Sequence, residues 1–170
     1  MKKLLVIVDM QNDFVDGALG ADGGRDAVKN ACSLIARERE QGTQVVYTKD
    51  MHGDNYLATQ EGKRLPVPHC IRGTHGAQLA AEIADMGGTV FEKETFASIA
   101  LAEFARRERF DEVLFAGICT DICVISNAML VKAFCPDARI CVCADACAGT
   151  TRENHLAALH VMKCCQIDIE

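Results

Sequence analysis

Two features of the sequence predict an α/β fold: a parallel sheet with helices on both faces. Short β-branched runs alternate along the chain with stretches whose apolar residues recur at helical spacing. The runs are almost continuously apolar, as strands buried on both faces must be. Strand–helix–strand connections then give parallel neighbours with helices above and below them.

The elements follow in order. A strand is read at 3–10 (KLLVIVDM), where Asp9 ends the apolar run, and a helix at 25–40 (RDAVKNACSLIARERE). Next come a strand at 43–50 (TQVVYTKD), a helix at 75–86 (HGAQLAAEIADM) and a strand at 89–93 (TVFEK). A helix at 98–109 (SIALAEFARRER), a strand at 112–118 (EVLFAGI) and a helix at 121–134 (DICVISNAMLVKAF) continue the alternation. A strand at 139–146 (RICVCADA), a helix at 151–164 (TRENHLAALHVMKC) and a final strand at 165–169 (CQIDI) complete it.

The length of 170 residues suits one domain, residues 1–170, with a full core. No repeat, low-complexity tract or linker interrupts it, and 49% hydrophobic residues are too many for a disordered chain. A net charge of −6 argues against nucleic acid as partner. The apolar run at 4–8 is too short for a membrane span or a secretory leader, so a cytoplasmic protein is expected. The ten cysteines are then read as reduced thiols, mostly buried as small hydrophobes.

Chemistry in a parallel sheet gathers at the carboxyl ends of the strands. Asp9, then Asp50 with His52, then Lys93, then Cys119 and Cys123 all stand at such ends. Singly, each is an ordinary loop residue; four strands ending this way point to a site. Cys123 falls in the first turn of the helix read from Asp121, where the helix dipole and a nearby cation lower a thiol pKa. Lys93 can be that cation, Asp9 can accept the thiol proton, and the N–H groups around 119–123 can form an oxyanion hole. On spacing alone, Cys123 is equally a packed helix-start cysteine. Asp50, His52 and His69, with Glu61 as a candidate fourth ligand, suit a divalent transition metal. Either histidine is also an ordinary loop residue on this evidence. No CxxC pair is present to make a zinc knuckle or a redox motif. His75, His155 and His160 are read as helix residues without a chemical role.

Taken in order, "LLVIVDMQNDFVDGAL", "YTKDMH", "LPVPHCIRGTHGAQL", "FEKETF" and "AGICTDICVISNAM" resemble the isochorismatase-like cysteine hydrolases, and within them the nicotinamidase branch. The resemblance covers nearly the whole chain. It implies a three-layer α/β/α fold with a parallel six-stranded sheet. It implies a triad of Asp9, Lys93 and Cys123, with Cys119 following a non-proline cis bond and lending its amide, beside that of Cys123, to the oxyanion hole. It implies Asp50, His52 and His69 as ligands to one divalent ion, zinc first with iron or manganese as alternatives, which positions a pyridine ring; some members add a glutamate where Glu61 stands. Phe14 matches one aromatic wall of the family pocket. The other wall, usually Trp three positions before the last histidine ligand, is Pro66 beside Leu65, and the chain has no Trp. A ring held between Phe14 and Leu65 loses a stacking face worth ~0.5–1.5 kcal/mol.

The function expected is therefore metal-dependent hydrolysis of a small amide, nicotinamide first, through a Cys123 thioester. The Leu65 departure leaves open a ureido or N-carbamoyl amide, or isochorismate. A catalytically idle metal-binding protein is the remaining alternative. Relatives are commonly dimers or tetramers, so a homo-oligomer with no nucleic-acid or membrane partner is expected.

Overall fold

A computed structural model describes all 170 residues. Six parallel strands form one sheet in the order β3-β2-β1-β4-β5-β6. They are β1 (Lys3–Val8), β2 (Gln44–Asp50), β3 (Thr89–Lys93), β4 (Glu112–Ile118), β5 (Arg139–Ala148) and β6 (Asp168–Ile169). Three-layer architecture follows from the crossovers. The helices are α1 (Asn12–Val15), α2 (Gly24–Glu40), α3 (Gln60–Arg64), α4 (Ala81–Ala84), α5 (Ile99–Glu108), α6 (Ile125–Phe134) and α7 (Arg152–Cys164). α2 packs with α1 and α4, while α5, α6 and α7 pack side by side; right-handed crossovers put the two groups on opposite faces.

The apolar run of β1 explains the centre of the sheet. Leu4 to Val8 have no exposure, because β1 is paired on both edges, to β2 and β4, and covered on both faces. Each such side chain contributes roughly 1.5–3 kcal/mol on burial. The strand order reverses between β1 and β4, which opens a crevice at their carboxyl ends. Gly117 is required at that seam. Its φ is +143°, and a Cβ there would lie 2.2 Å from the carbonyl oxygen of Val8.

Three expectations need correction. The helix read at 75–86 shrinks to Ala81–Ala84. Its first half is tied to the loop after β1: Asn12 N–H donates to Gln78 O (2.9 Å), Asp13 N–H to Gly76 O (3.1 Å) and Ala80 N–H to Met10 O (2.8 Å). Backbone groups spent this way cannot close helical turns. His75 accordingly lies exposed in a loop, not on a helix. The strand read at 165–169 is only Asp168–Ile169, because Cys165 N–H bonds back to Val161 O (3.1 Å) and Gln166 turns at φ +61°. β1 also stops earlier than read, at Val8, because Asp9 turns the chain at φ +45°.

All ten cysteines are free; five are buried, four half-buried and Cys164 exposed. No helix is long and apolar enough to cross a membrane.

At the amino end of the sheet, Glu112 receives Lys3 Nζ at 2.8 Å and Arg139 Nη1 at 2.8 Å with its side chain only 7% exposed. Burial pushes its carboxyl up, but the Lys3 and Arg139 bonds prevail and hold it below the ordinary value. A depressed folded pKa means that this stabilisation is present above the unfolded value of ~4.3 and is lost as pH falls through the folded one. Glu112→Gln is expected to lower stability at pH 7 by ~1–3 kcal/mol. In denaturant titrations, the gap from the parent should close on acidification; a gap unchanged at low pH would contradict the assignment.

Candidate functional site

The crevice at the switch point collects the residues singled out from the sequence. β1 delivers Asp9, β2 ends on Asp50, β3 ends on Lys93, and β4 runs through Ile118 into the turn of Cys119 and Cys123. Asp50 and Lys93 are register partners across β2 and β3, so their side chains meet without any loop to place them.

Lys93 lies at the centre. Its Nζ is 2.6 Å from Asp9 Oδ2, 3.4 Å from Asp50 Oδ1 and 3.7 Å from Cys123 Sγ. Asp9 and Cys123 are almost sealed, at 0% and 4% exposure. Asp9 Oδ1 accepts from the Thr48 hydroxyl at 2.6 Å, while Oδ2 faces Lys93 as an ion pair without a well-aligned hydrogen bond. Oδ2 thus keeps accepting capacity for a proton. Burial raises the Asp9 carboxyl, against the pull of the Lys93 charge. Burial also opposes the charge on Lys93, but Asp9, Cys123 and Asp50 hold its pKa well above the ordinary ammonium value.

The Cys123 thiol departs from the expectation. A lowered pKa follows from a helix start beside a cation, yet burial and then the Asp9 charge push it well above the ordinary thiol value, and Lys93 offsets this only in part. The helix start and the cation therefore do not decide the thiol alone, since burial and Asp9 act against them. Cys119 is likewise pushed up to about 12, first by burial and then by Asp121.

The turn carrying Cys123 is wider than the helix start read from the sequence. Val124 N–H reaches back to Cys119 O at 3.1 Å, and regular α6 begins only at Ile125. The Ile118–Cys119 bond is cis, and the Cys119 N–H donates to no group of the protein. Thr150 donates to both Asp121 oxygens, at 2.8 and 2.6 Å, and Thr120 Oγ1 lies 2.8 Å from His155 Nδ1, so the start of α7 clamps the turn from outside. That is a structural place for His155.

Beside this cluster stand Asp50, His52, Glu61 and His69, with one donor atom from each lying within 4.8 Å of the others. Asp50 Oδ2 is 3.0 Å from His52 Nε2 and 3.7 Å from His69 Nε2, and Glu61 Oε1 is 3.8 and 3.7 Å from the same nitrogens. A tetrahedral ion with bonds of ~2.1 Å sets its donors about 3.4 Å apart, so these separations fit one divalent ion. The donor set, two imidazoles and two carboxylates, suits zinc, iron or manganese. Two further observations agree with a cation here. Glu61 is raised by burial and then by the Asp50 carboxylate beside it, a repulsion that an ion would relieve. His69 Nδ1 lies 2.8 Å from Val67 O, an outer contact that leaves Nε2 facing the group.

Between the two clusters opens a small cavity of about 50 Å³, lined by Phe14, Leu65, Phe96, Ile122, Cys123 and His69 among others. Phe14 and Leu65 both line it.

Several supporting residues escaped the sequence reading. Thr48 fixes Asp9, and buried Gln11 brackets Asp50 by donating to its carbonyl (2.8 Å) and accepting from its N–H (2.7 Å). Tyr56 packs its ring 4.7 Å from His52 and 5.0 Å from His69 and donates to Leu65 O at 2.9 Å. Phe96, overlooked within "FEKETF", supplies an aromatic side chain to the cavity in a chain without Trp.

Several known proteins are similar to this chain. The nicotinamidase/pyrazinamidase of Mycobacterium tuberculosis is 30% identical over 98% of this chain and 97% of its own. The pyrazinamidase/nicotinamidase of Streptococcus mutans superposes with a TM-score of 0.88 at 27% identity, over 99% of this chain and 100% of that one. The pyrazinamidase of Pyrococcus horikoshii in complex with zinc superposes with a TM-score of 0.84 at 25% identity, over 100% and 99% of the two chains. The isochorismatase domain matches residues 3–169, and the chain belongs to the isochorismatase family.

Proposed function

We propose that this protein is a metal-dependent cysteine amidohydrolase whose leading substrate is nicotinamide, converted with water to nicotinate and ammonia. The observation that carries this reading is Asp50, whose Oδ1 faces Lys93 and whose Oδ2 faces His52 and His69, joining a nucleophile cluster to a metal-binding group across one cavity. The similar nicotinamidases and pyrazinamidases support the same class of substrate.

In this mechanism Asp9 Oδ2 takes the Cys123 proton as sulfur attacks the amide carbonyl. Lys93 balances the charge that passes between carboxylate and sulfur. The oxyanion is met by the backbone N–H groups of Cys119 and Cys123. Asp9 returns the proton to the leaving nitrogen, C–N cleavage releases ammonia, and a thioester remains on Cys123. Water then loses a proton to Asp9, adds to the thioester and releases the acid with the thiol restored. Asp50, His52, His69 and Glu61 would hold one divalent ion, zinc before iron or manganese, which supplies a Lewis-acid contact to orient a ring nitrogen. Phe14, Leu65 and Phe96 form the apolar walls for the ring.

A second reading keeps the same machinery with a different amide. Leu65 at the rim is a smaller and less specific wall than Trp, which favours a neutral ureido or N-carbamoyl compound as competitor. No Arg or Lys side chain lines the cavity itself, but Arg64 stands with Leu65, Phe96 and Ile122 at the adjoining mouth, which keeps a carboxylate-bearing substrate such as isochorismate as a further competitor.

Cys123→Ala is expected to abolish ammonia release while leaving the circular dichroism spectrum unchanged; near-normal turnover would sink the assignment. Metal analysis should find one ion per chain. It should be retained in Cys123→Ala and lost in Asp50→Ala and His69→Ala, and chelation should stop turnover until metal is restored. Full activity of demonstrably metal-free protein would refute that part. The pH profile of kcat/KM at saturating metal gives a third check. Asp9 must be unprotonated to act, and its carboxyl is raised by burial. The acid limb should therefore lie above the ordinary aspartate value of ~3.9.

A further inference from the structure

Asn127 has no exposure and no part in the chemistry above, yet it spans two pieces of the site. It stands four residues beyond Cys123 on the first turn of α6. Its Oδ1 accepts from Ser98 N–H at 3.0 Å, and its Nδ2 donates to Phe96 O at 3.0 Å and to Cys123 O at 2.8 Å. One side-chain amide thus holds the peptide of the nucleophile and two points, Phe96 O and Ser98 N–H, of the short segment that carries Phe96. That segment follows Lys93 and ends at Ser98, whose hydroxyl caps α5 by accepting from Leu101 N–H at 3.2 Å. Phe96 itself is 44% exposed at the mouth of the cavity, so packing alone does not fix it.

We propose that Asn127 is a positioning residue that locks the Phe96 rim to the turn of Cys123, so that the substrate wall and the nucleophile hold one registry. This rests on the reading of Cys123 as nucleophile and of the cavity as the amide site. The residue type fits the task. Two donors and one acceptor are needed from one planar group; Asp lacks the donors, and Ser or Thr lacks the reach and the second donor. The bland alternative is that Asn127 merely satisfies buried backbone groups between α5 and α6.

A double-mutant cycle separates the two. Asn127→Ser keeps a hydroxyl that can bond back to the Cys123 carbonyl, four residues earlier, but cannot reach Phe96 O. It should raise KM for nicotinamide by about fivefold with kcat within about twofold. In a Phe96→Ala background the same change should add nothing to KM, because the wall it positions is gone. Asn127→Ala, which releases all three partners, should also lower kcat by about tenfold and alter the rate at which iodoacetamide alkylates Cys123. Equal KM effects of Asn127→Ser in both backgrounds would overturn the proposal. So would a lowered melting temperature with KM, kcat and alkylation all unchanged. If Asn127→Ala fails to fold, the serine cycle decides alone. If the parent protein releases no ammonia from nicotinamide, the proposed substrate fails instead. The proposal is then judged by Cys123 alkylation in Asn127→Ala, and a rate equal to the parent's overturns it.

Discussion

The buried ammonium of Lys93 is the constraint on which the site depends. Two carboxylates, Asp9 and Asp50, converge on it with side chains that are 0% and 3% exposed, and Lys93 itself is 2% exposed. Charges so far from water persist only when each has a partner. Removing the lysine would leave Asp9 without a cation and Asp50 with only its histidine side paired. The fold answers this by placing two of the three on strand ends and the third directly after one: Asp50 and Lys93 are neighbours by register, and Asp9, just past β1, is fixed by Thr48 on the adjacent strand. Rigidity of the sheet is what sustains the cluster, and the same rigidity holds Asp9 Oδ2 and the Cys123 sulfur against one ammonium group.

Much of this was legible in the sequence because it follows from chain direction alone. Parallel strands all end on the same edge, so Asp9, Asp50, Lys93 and Cys123 could be gathered without knowing the strand order. The His52, Glu61 and His69 grouping was legible by its residue types. The helix at 75–86 misled because its apolar spacing is real, but its backbone is taken by Met10 and Asn12, a tertiary contact that no local pattern reports. Gln11, Thr48, Tyr56 and Asn127 were missed for the same reason. Each acts on a partner that the fold, and not the local pattern, brings close, and none is chemically conspicuous. The direction of the Cys123 pKa was misjudged because sequence shows the helix and the cation but not the depth of burial.

Asp50 also explains why two kinds of chemistry occupy so small a space. Its two oxygens face different clusters, so a single carboxylate takes part in balancing both the lysine and the metal-binding group. Gln11 clamps its backbone from both sides, which fixes the direction of the side chain. The cavity needs little polarity of its own as a result. Its walls can be Phe14, Leu65, Phe96 and Ile122, with orientation left to the groups at either end.

The close approach at Gly117 has a consequence for how such a protein can diversify. A side chain at that position would strike the Val8 carbonyl, so the seam between the two central strands admits only glycine there. Any descendant that changes its substrate must do so at the rim, through positions such as 65, 96 and 122, while the seam stays frozen. Substitution tolerance around the cavity should therefore be sharply two-sided. The seam admits almost no change, and the exposed rim is free to drift.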